Sequence, residues 1–358
     1  MEKQALKEFD KNIKNLTKKD TIVLCPDLDA DGISAGAITY IALKQIIGKN
    51  PIIVIQPYKT TQILPSTLKK IKKNKANKLV IVDFAFDQSK ENAQSTEKKF
   101  EKIIVIDHHT DYKTKLKKTF IIKPQHITKI DPSKYPASKF CYDLFSRHTN
   151  LEKISWIASV GLIGDNQLKQ WKKFVKKTAK KHNTTITEIS KVTSIISATE
   201  SMKPKKLKEL LMLIVKAKNP KEIIKSKFSA FERKFKKESN KLLKEFMKKK
   251  EVHKKINLIW FEFFSKKNLK SELINRASNE YYPNKTIIVV QDIGNKYLYF
   301  SARRQDFKIK MNELLEKAVN NLEKAGAGGH VPAAAGKIMK KDLAKFKNKV
   351  IEILSKNN

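Results

Sequence analysis

The sequence predicts an α/β protein: a parallel-sheet N-terminal domain over residues 1–185, a helical lysine-rich connector over 186–255 and a smaller C-terminal α/β domain over 256–358. Three observations lead there. Short β-branched runs recur through the first 125 residues with helical spacers between them, a long amphipathic lysine-rich stretch follows, and a second set of apolar runs opens near Ile256. A chain of 358 residues has room for about two domains, each with a core of its own.

The first set of runs lies at Thr21–Cys25, Ile52–Gln56, Leu79–Asp83, Ile103–Asp107 and Phe120–Lys123. They are continuously apolar rather than alternating, as strands buried on both faces must be. Spacers of roughly 25 residues, with helical candidates at 33–47 and 88–99, set the βαβ rhythm of a parallel sheet covered by helices. Residues 137–185 read as helices, with apolar stripes through Phe140, Leu144 and Phe145 and through 154–163.

From 186 to 255 the chain reads as helix, with Phe228, Phe231, Phe235, Leu242, Leu243 and Phe246 near helical spacing and lysines on a solvated face. Beyond it, strands are expected at 256–264, 286–291 and 296–302, the last two joined by a hairpin turn at Gly294–Lys296. A helix at 311–323 leads into a small-residue loop, GAGGHVPAAAG (326–336), and a final helix runs over about 341–354.

Lys and Arg number 76 against 36 Asp and Glu, a formal charge of +40. Such an excess points to a polyanionic partner. Only Arg147, Arg233, Arg276, Arg303 and Arg304 are arginine, a lysine bias that an AT-rich coding sequence also produces, so charge alone names no ligand. No apolar run approaches the ~18 residues of a membrane span and the N-terminal residues carry no apolar leader core, so a cytoplasmic protein with no membrane partner is expected. Two cysteines, Cys25 and Cys141, make neither a disulfide framework nor a metal clip. Trp156, Trp171 and Trp260 read as packing residues, and His126, His148, His182 and His253 as surface residues.

Acidic residues gather where the apolar runs stop. Asp27, Asp29 and Asp31 follow the first run in DLDADG, Asp83 ends the third, and Asp107, His108 and His109 end the fourth. Asp165 closes an apolar helical stretch, GLIGD. In open parallel sheets ligands bind beyond the carboxyl ends of the strands, so these groups converge on one edge. A single Asp there could be a helix N-cap, but so many carboxylates in one place repel one another unless cations neutralise them. Mixed Asp and His ligands suit Mn²⁺, or Mg²⁺ and Zn²⁺ less specifically, and a metal pair can clamp the attacking and leaving oxygens of a displacement at phosphorus. Alternate residues of DLDADG share a side, and Gly32 lets the chain turn into the next helix. Read as an EF-hand loop, the segment would need a Glu where Ile38 stands.

In this order, DLDADG (27–32), VD (82–83), DHH (107–109) and GLIGD (161–165) resemble the four motifs of the DHH phosphoesterase superfamily. SARR (301–304) and GAGGH (326–330) resemble that family's DHH-associated C-terminal domain with its GGGH loop. The DxDxDG form is closest to the RecJ branch. The pyrophosphatase branch and some phosphatases carry a His where Cys25 stands, and the first glycine of the GGGH loop is here Ala327.

The resemblance implies a Mn²⁺- or Mg²⁺-dependent enzyme with two ions and an active site in a cleft between domains. Asp27, Asp29, Asp31, Asp83, His108 and Asp165 would be metal ligands, with Asp83 bridging. Asp107 would orient the histidine that follows it, and His109 would face the scissile phosphate. Ser301, Arg303, Gly328, Gly329 and His330 would bind substrate. Ser138 is either a helix N-cap or a further substrate contact. Metal-activated hydrolysis of single-stranded DNA or RNA, as a RecJ-like exonuclease, is the leading function, with replication or repair proteins as candidate partners. The alternatives are an oligoribonuclease or nucleotide phosphatase acting on short substrates, and a nucleic-acid-binding replisome scaffold with little catalysis. The complete set of metal positions argues against the last.

Overall fold

In the computed structural model, which describes residues 2–356 and leaves the side chain of His330 undescribed, the chain forms two compact units, residues 1–232 and 233–358. The first begins with helix α1 (Glu2–Lys14), then strand β1 (Ile22–Pro26), α2 (Ala30–Ile47), β2 (Ile52–Ile53), α3 (Pro65–Lys73), β3 (Lys78–Val82), α4 (Lys90–Glu97), β4 (Lys102–Ile106) and β5 (Thr119–Ile122). Helices α5 (Ala137–Phe145), α6 (Ser155–Gly164), α7 (Lys172–Lys181), α8 (Ile186–Met202), α9 (Leu207–Lys216) and α10 (Pro220–Ile224) follow. The five strands are all parallel, in the order β2-β1-β3-β4-β5.

The continuous apolar runs have a direct cause. Alternate residues of a strand face opposite ways, and both ways are core here. Leu24, Val80, Val82, Ile104 and Ile106 join one apolar cluster with α2, α5 and α6, while Val23, Cys25, Leu79, Ile81 and Val105 join another. Each such side chain contributes about 1.5–3 kcal/mol on burial. Helix α2 is buried along most of its length, and Gly36 lets it close on β1, since a Cβ there would lie 2.8 Å from the Pro26 side chain. Both cysteines are free and buried.

The stretch expected as a connector is divided between the units. Val192, Ile195, Ile196, Leu210 and Leu211 belong to the first unit's core. Helix α11 (Ser229–Lys249) contributes its residues from Arg233 on to the second. There follow β6 (Glu251–His253), β7 (Leu258–Phe264), α12 (Lys270–Arg276), β8 (Thr286–Asp292), β9 (Tyr297–Arg303), α13 (Met311–Val319), β10 (Gly326–His330), β11 (Ala333–Met339) and α14 (Leu343–Lys356). The strands make one mixed sheet, β10-β11-β9-β8-β7-β6. Trp260, Ile288, Phe300, Ala302 and Ile338 line its core face, packed with residues of α13 and α14.

The segment 326–336 is thus a hairpin rather than a loop, with Gly328 opposite Ala335 and His330 opposite Ala333. Gly and Ala are weak strand formers, which hid it, and pairing with β9 supplies the order that propensity lacks. Of the four lysine-flanked histidines, His126 and His253 are partly exposed at the surface, while His148 is more enclosed, its Nε2 lying 2.8 Å from Asp10, and His182 Nε2 lies 2.9 Å from Ser155 Oγ. Trp156 and Trp260 are fully buried, as packing residues should be. No helix among the described residues is long and apolar enough to cross a membrane.

Candidate active site

The carboxyl ends of β1, β3 and β4, joined by Asp165 at the C-terminal end of α6, deliver the predicted acids and imidazoles to one edge of the parallel sheet. Three overlapping groups, Asp27–Asp29–Asp83, Asp31–His108–Asp165 and Asp83–His108–His109, each bring ligand atoms within 4.8 Å of one another. Asp83 and His108 are each shared by two groups, so the ligand sets are adjacent.

Local geometry explains why the segment after β1 can do this. Asp29 is the N-cap of α2, its Oδ1 accepting from Gly32 N at 2.9 Å, so the capping role and the place in the acidic group coexist. A Cβ at residue 32 would lie 2.8 Å from the Asp27 backbone, so only glycine lets the chain close over Asp27. Asp31 is buried and accepts from the backbone N–H groups of Ala137 (2.6 Å) and Ser138 (3.0 Å) at the start of α5. Ser138 is itself wholly buried inside that first turn, behind the Pro136 cap. It is neither the N-cap nor exposed to a ligand. Asp83 takes φ +59° directly after β3, a left-handed conformation that costs a non-glycine residue about 1–3 kcal/mol and gathers at functional sites.

The two histidines are held differently from expectation. His109 Nδ1–H donates to Asp107 Oδ1 at 2.7 Å, so Asp107 orients His109 and not the adjacent His108. His108 Nδ1–H donates instead to the Pro132 carbonyl at 3.2 Å, which turns Nε2 toward Asp83 Oδ1 (3.3 Å) and Asp165 Oδ2 (3.4 Å). The His108 side chain is 11% exposed and that of His109 48% exposed, so His109 is the one open to a ligand.

Ionisation follows these contacts. Burial, then the Asp29 charge, pushes Asp27 up to about 6; burial, then Asp31, pushes Asp165 up to about 7; and the same two kinds of cause raise Asp83 well above the carboxylate range. For Asp29 and Asp107 burial also opposes ionisation but is outweighed, by Lys59 in one case and by His109 in the other, and both are lowered to about 2. Burial disfavours the imidazolium of His108, yet the facing carboxylates, Asp83 first, raise it well above its usual value.

Several residues at the site carry no motif. Lys59, after β2, reaches Asp29 Oδ2 at 2.6 Å and lies 3.8 Å from Asp27 and 3.9 Å from Glu200. Burial pushes Glu200, on α8, up to about 7. Lys123, at the end of β5, is completely buried. Its ammonium donates to both oxygens of Asp87 (3.0 and 2.9 Å) and to the Thr110 carbonyl (2.7 Å), and lies 3.3 Å from Asp107 Oδ2. A lysine closing an apolar run was the one available signal.

The C-terminal candidates lie within the second unit. By register, Gly328, Ala335 and Ser301 form one row across β10, β11 and β9, and His330, Ala333 and Arg303 the next, so that Ser301 and Arg303 lie on the same face of β9. Gly329, at φ +147°, has no room for a Cβ, which would sit 2.4 Å from the Ala333 carbonyl, whereas a Cβ at Gly328 would meet open space. Arg303 is partly exposed, but Ser301 is 2% exposed. Arg304 is buried and pairs with Asp306 at 2.7 Å.

Residues 21–164 match the DHH family, N-terminal domain, and residues 260–356 match the DHHA1 domain. No protein of curated description matches the chain in sequence. The crystal structure of exonuclease RecJ bound to manganese is similar to it with a TM-score of 0.74 at 17% identity, covering 98% of this chain and 94% of that one. RecJ of Thermus thermophilus in complex with Mn²⁺ gives 0.73 at 16%, covering 99% of this chain but 54% of that one, so this chain spans about half of that protein. An exopolyphosphatase-related protein from Bacteroides fragilis gives 0.59 at 13%, covering 99% of this chain and 98% of that one. At these identities the likeness is one of fold, and it is shared by proteins of different description. The paired family matches, falling on the two regions that carry the ordered motifs, place the chain in the DHH phosphoesterase superfamily, with a DHHA1 domain after its DHH domain and a RecJ-like fold.

Proposed function

We propose that this protein is a divalent-metal-dependent phosphodiesterase that hydrolyses single-stranded DNA or RNA as an exonuclease, with Mn²⁺ or Mg²⁺ bound at the carboxyl edge of the parallel sheet. The observation that carries the reading is the convergence of Asp27, Asp29, Asp31, Asp83, His108 and Asp165 into overlapping ligand groups. The donor set fits divalent cations. Burial, then the neighbouring carboxylates, raises Asp27, Asp83 and Asp165, a cost that bound cations would relieve, and the His108 Nδ1–H bond to a backbone carbonyl fixes the tautomer whose Nε2 is free to ligate.

Asp27, Asp29 and Asp83 would hold one ion and Asp31, His108 and Asp165 another, Asp83 and His108 each belonging to two of the groups. Bound there, such ions would neutralise the carboxylates and polarise both the phosphoryl oxygen and the attacking water. The chain's own residues do the rest. Asp107 holds His109 by Nδ1 and keeps its Nε2 directed outward, where a proton can be offered to the phosphate or to its leaving oxygen. Lys123 neutralises Asp107 from behind and anchors that pair. Arg303, Gly328, Gly329 and His330 would bind the substrate backbone, with Ser301 beneath them.

A polymer is favoured over a mononucleotide by the charge of +40, since a basic chain gains more from a long polyanion, and by the RecJ-like fold. The likeness to an exopolyphosphatase-related protein keeps a second reading, hydrolysis of short oligonucleotides or other small phosphoesters. The deciding experiment incubates the protein and Mn²⁺ with end-labelled single-stranded DNA and RNA, each as a long oligonucleotide and as a trinucleotide. Asp107→Ala with His108→Ala serves as the control. Metal-dependent shortening of the long substrates, absent in the control, is expected. Consumption of the trinucleotides alone would transfer the assignment to short substrates. Retention of DNA without any turnover would replace the enzyme with a binding scaffold.

A further inference from the structure

Among the described residues, two neighbouring cations of the second unit, Lys270 and Arg303, have no acid opposite them. Lys270, the first residue of α12, is partly buried, and its Nζ donates to Ser301 Oγ at 2.8 Å and to the Phe300 carbonyl at 3.1 Å. Arg303 stands two residues from Ser301 on the same face of β9, and its guanidinium donates, among the described residues, to neutral acceptors, Asn275 Oδ1 and its neighbour's carbonyl, both at 3.1 Å. Burial, then the Arg303 charge, pushes Lys270 down to about 8, and burial alone lowers Arg303. No carboxylate among the described residues bonds either group.

Four other cations of this unit have acids opposite them: Arg304 has Asp306, Arg276 has Glu280, Lys267 has Glu238 and Lys340 has Asp292. Two like charges partly withdrawn from water without a counter-ion destabilise a fold, so packing gives no reason for the pair. An anion does. The rows beside Ser301 and Arg303 carry Ala335, Ala333 and Gly328, which leave space above the sheet for a ligand.

We propose that Lys270 is a substrate-binding residue, which with Arg303 forms a cationic cradle for one phosphate group of the substrate. Ser301, buried beneath the ammonium, aims Lys270 and does not itself touch the ligand. Lys270 supplies a point charge and Arg303 a planar fork, the pairing that suits a phosphate. The proposal rests on the nucleic-acid reading above and names a contact that no motif in the sequence marks.

The test uses the full-length protein in EDTA, where chemistry is off. Binding of a fluorescent oligodeoxythymidine is followed by anisotropy across a salt series, with inorganic phosphate as a second probe. Lys270→Met is expected to bind both probes about tenfold more weakly. Its log–log salt slope for the oligonucleotide should fall by about 1, the signature of one lost phosphate contact. Lys270→Arg is expected to bind as wild type does, and Lys270→Gln, included in case the methionine variant does not fold, as Lys270→Met. Wild-type affinity and an unchanged slope in both neutral variants would overturn the proposal while leaving the nucleic-acid reading intact. Lys270-dependent phosphate binding with no oligonucleotide binding would uphold the cradle and overturn that reading instead.

Discussion

Asp107 Oδ1 lies 2.7 Å from Nδ1 of His109, two residues along the chain, while the adjacent His108 turns to the Pro132 carbonyl. The two histidines are therefore held differently, His108 turned to Asp83 and Asp165 and His109 half exposed. Asp107→Asn keeps the shape but loses the charge that holds the His109 proton. A fall in kcat of about 10²–10⁴-fold is expected, with Mn²⁺ affinity measured by calorimetry unchanged. Wild-type kcat in this variant would remove Asp107 from the mechanism.

Lys123 is wholly buried between Asp87 and Asp107, themselves 1% and 0% exposed as side chains. Removing one partner of such a set strands the others without compensation, at a cost of about 3–5 kcal/mol. Lys123→Met should lower the urea midpoint accordingly, and Lys123→Met with Asp87→Asn should recover part of the loss. A midpoint equal to wild type would mean that the ammonium does not neutralise these carboxylates.

Gly161, on α6, faces the carboxylate that ties DLDADG to α5: a Cβ there would lie 2.1 Å from Ser138 Oγ and 2.4 Å from Asp31 Oδ1. Gly161→Ala is expected to destabilise the protein by about 1–3 kcal/mol through overpacking. It should also weaken Mn²⁺ binding, because Asp31 must move. Lost stability with undiminished metal affinity would separate Asp31 from the metal site.

The depressed Lys270 sets two opposite pH trends. Its folded value of about 8 lies below the ordinary 10.5, so between them the unfolded chain binds more protons than the folded one. Stability against urea therefore rises with pH across that window. Anion affinity falls as pH passes about 8, because the ammonium is lost. Both trends should vanish in Lys270→Met, and an affinity rising with pH would contradict the assignment.

The parallel sheet was readable because both of its faces are core, so Val80 and Ile81, pointing opposite ways, are equally apolar. The acidic edge was readable because strands that end together bring their next residues together. What escaped were contacts made by the fold alone. Lys59, Glu200 and Lys123 reach the site from positions far along the chain and share no spacing with it. Lys270 meets Ser301 only because α12 lies over β9. The hairpin at 326–339 was hidden because its residues are glycines and alanines, whose pairing with β9, not their propensity, makes them strands.

Metal binding at the acidic edge is tested most directly by calorimetric titration of the metal-free protein with Mn²⁺, in parallel with Asp83→Asn. Asp83 belongs to two of the ligand groups, so a two-metal enzyme is expected to bind two ions per wild-type chain and to lose at least one in the variant. An absence of Mn²⁺ binding, or the same stoichiometry and affinity in Asp83→Asn as in wild type, would contradict it.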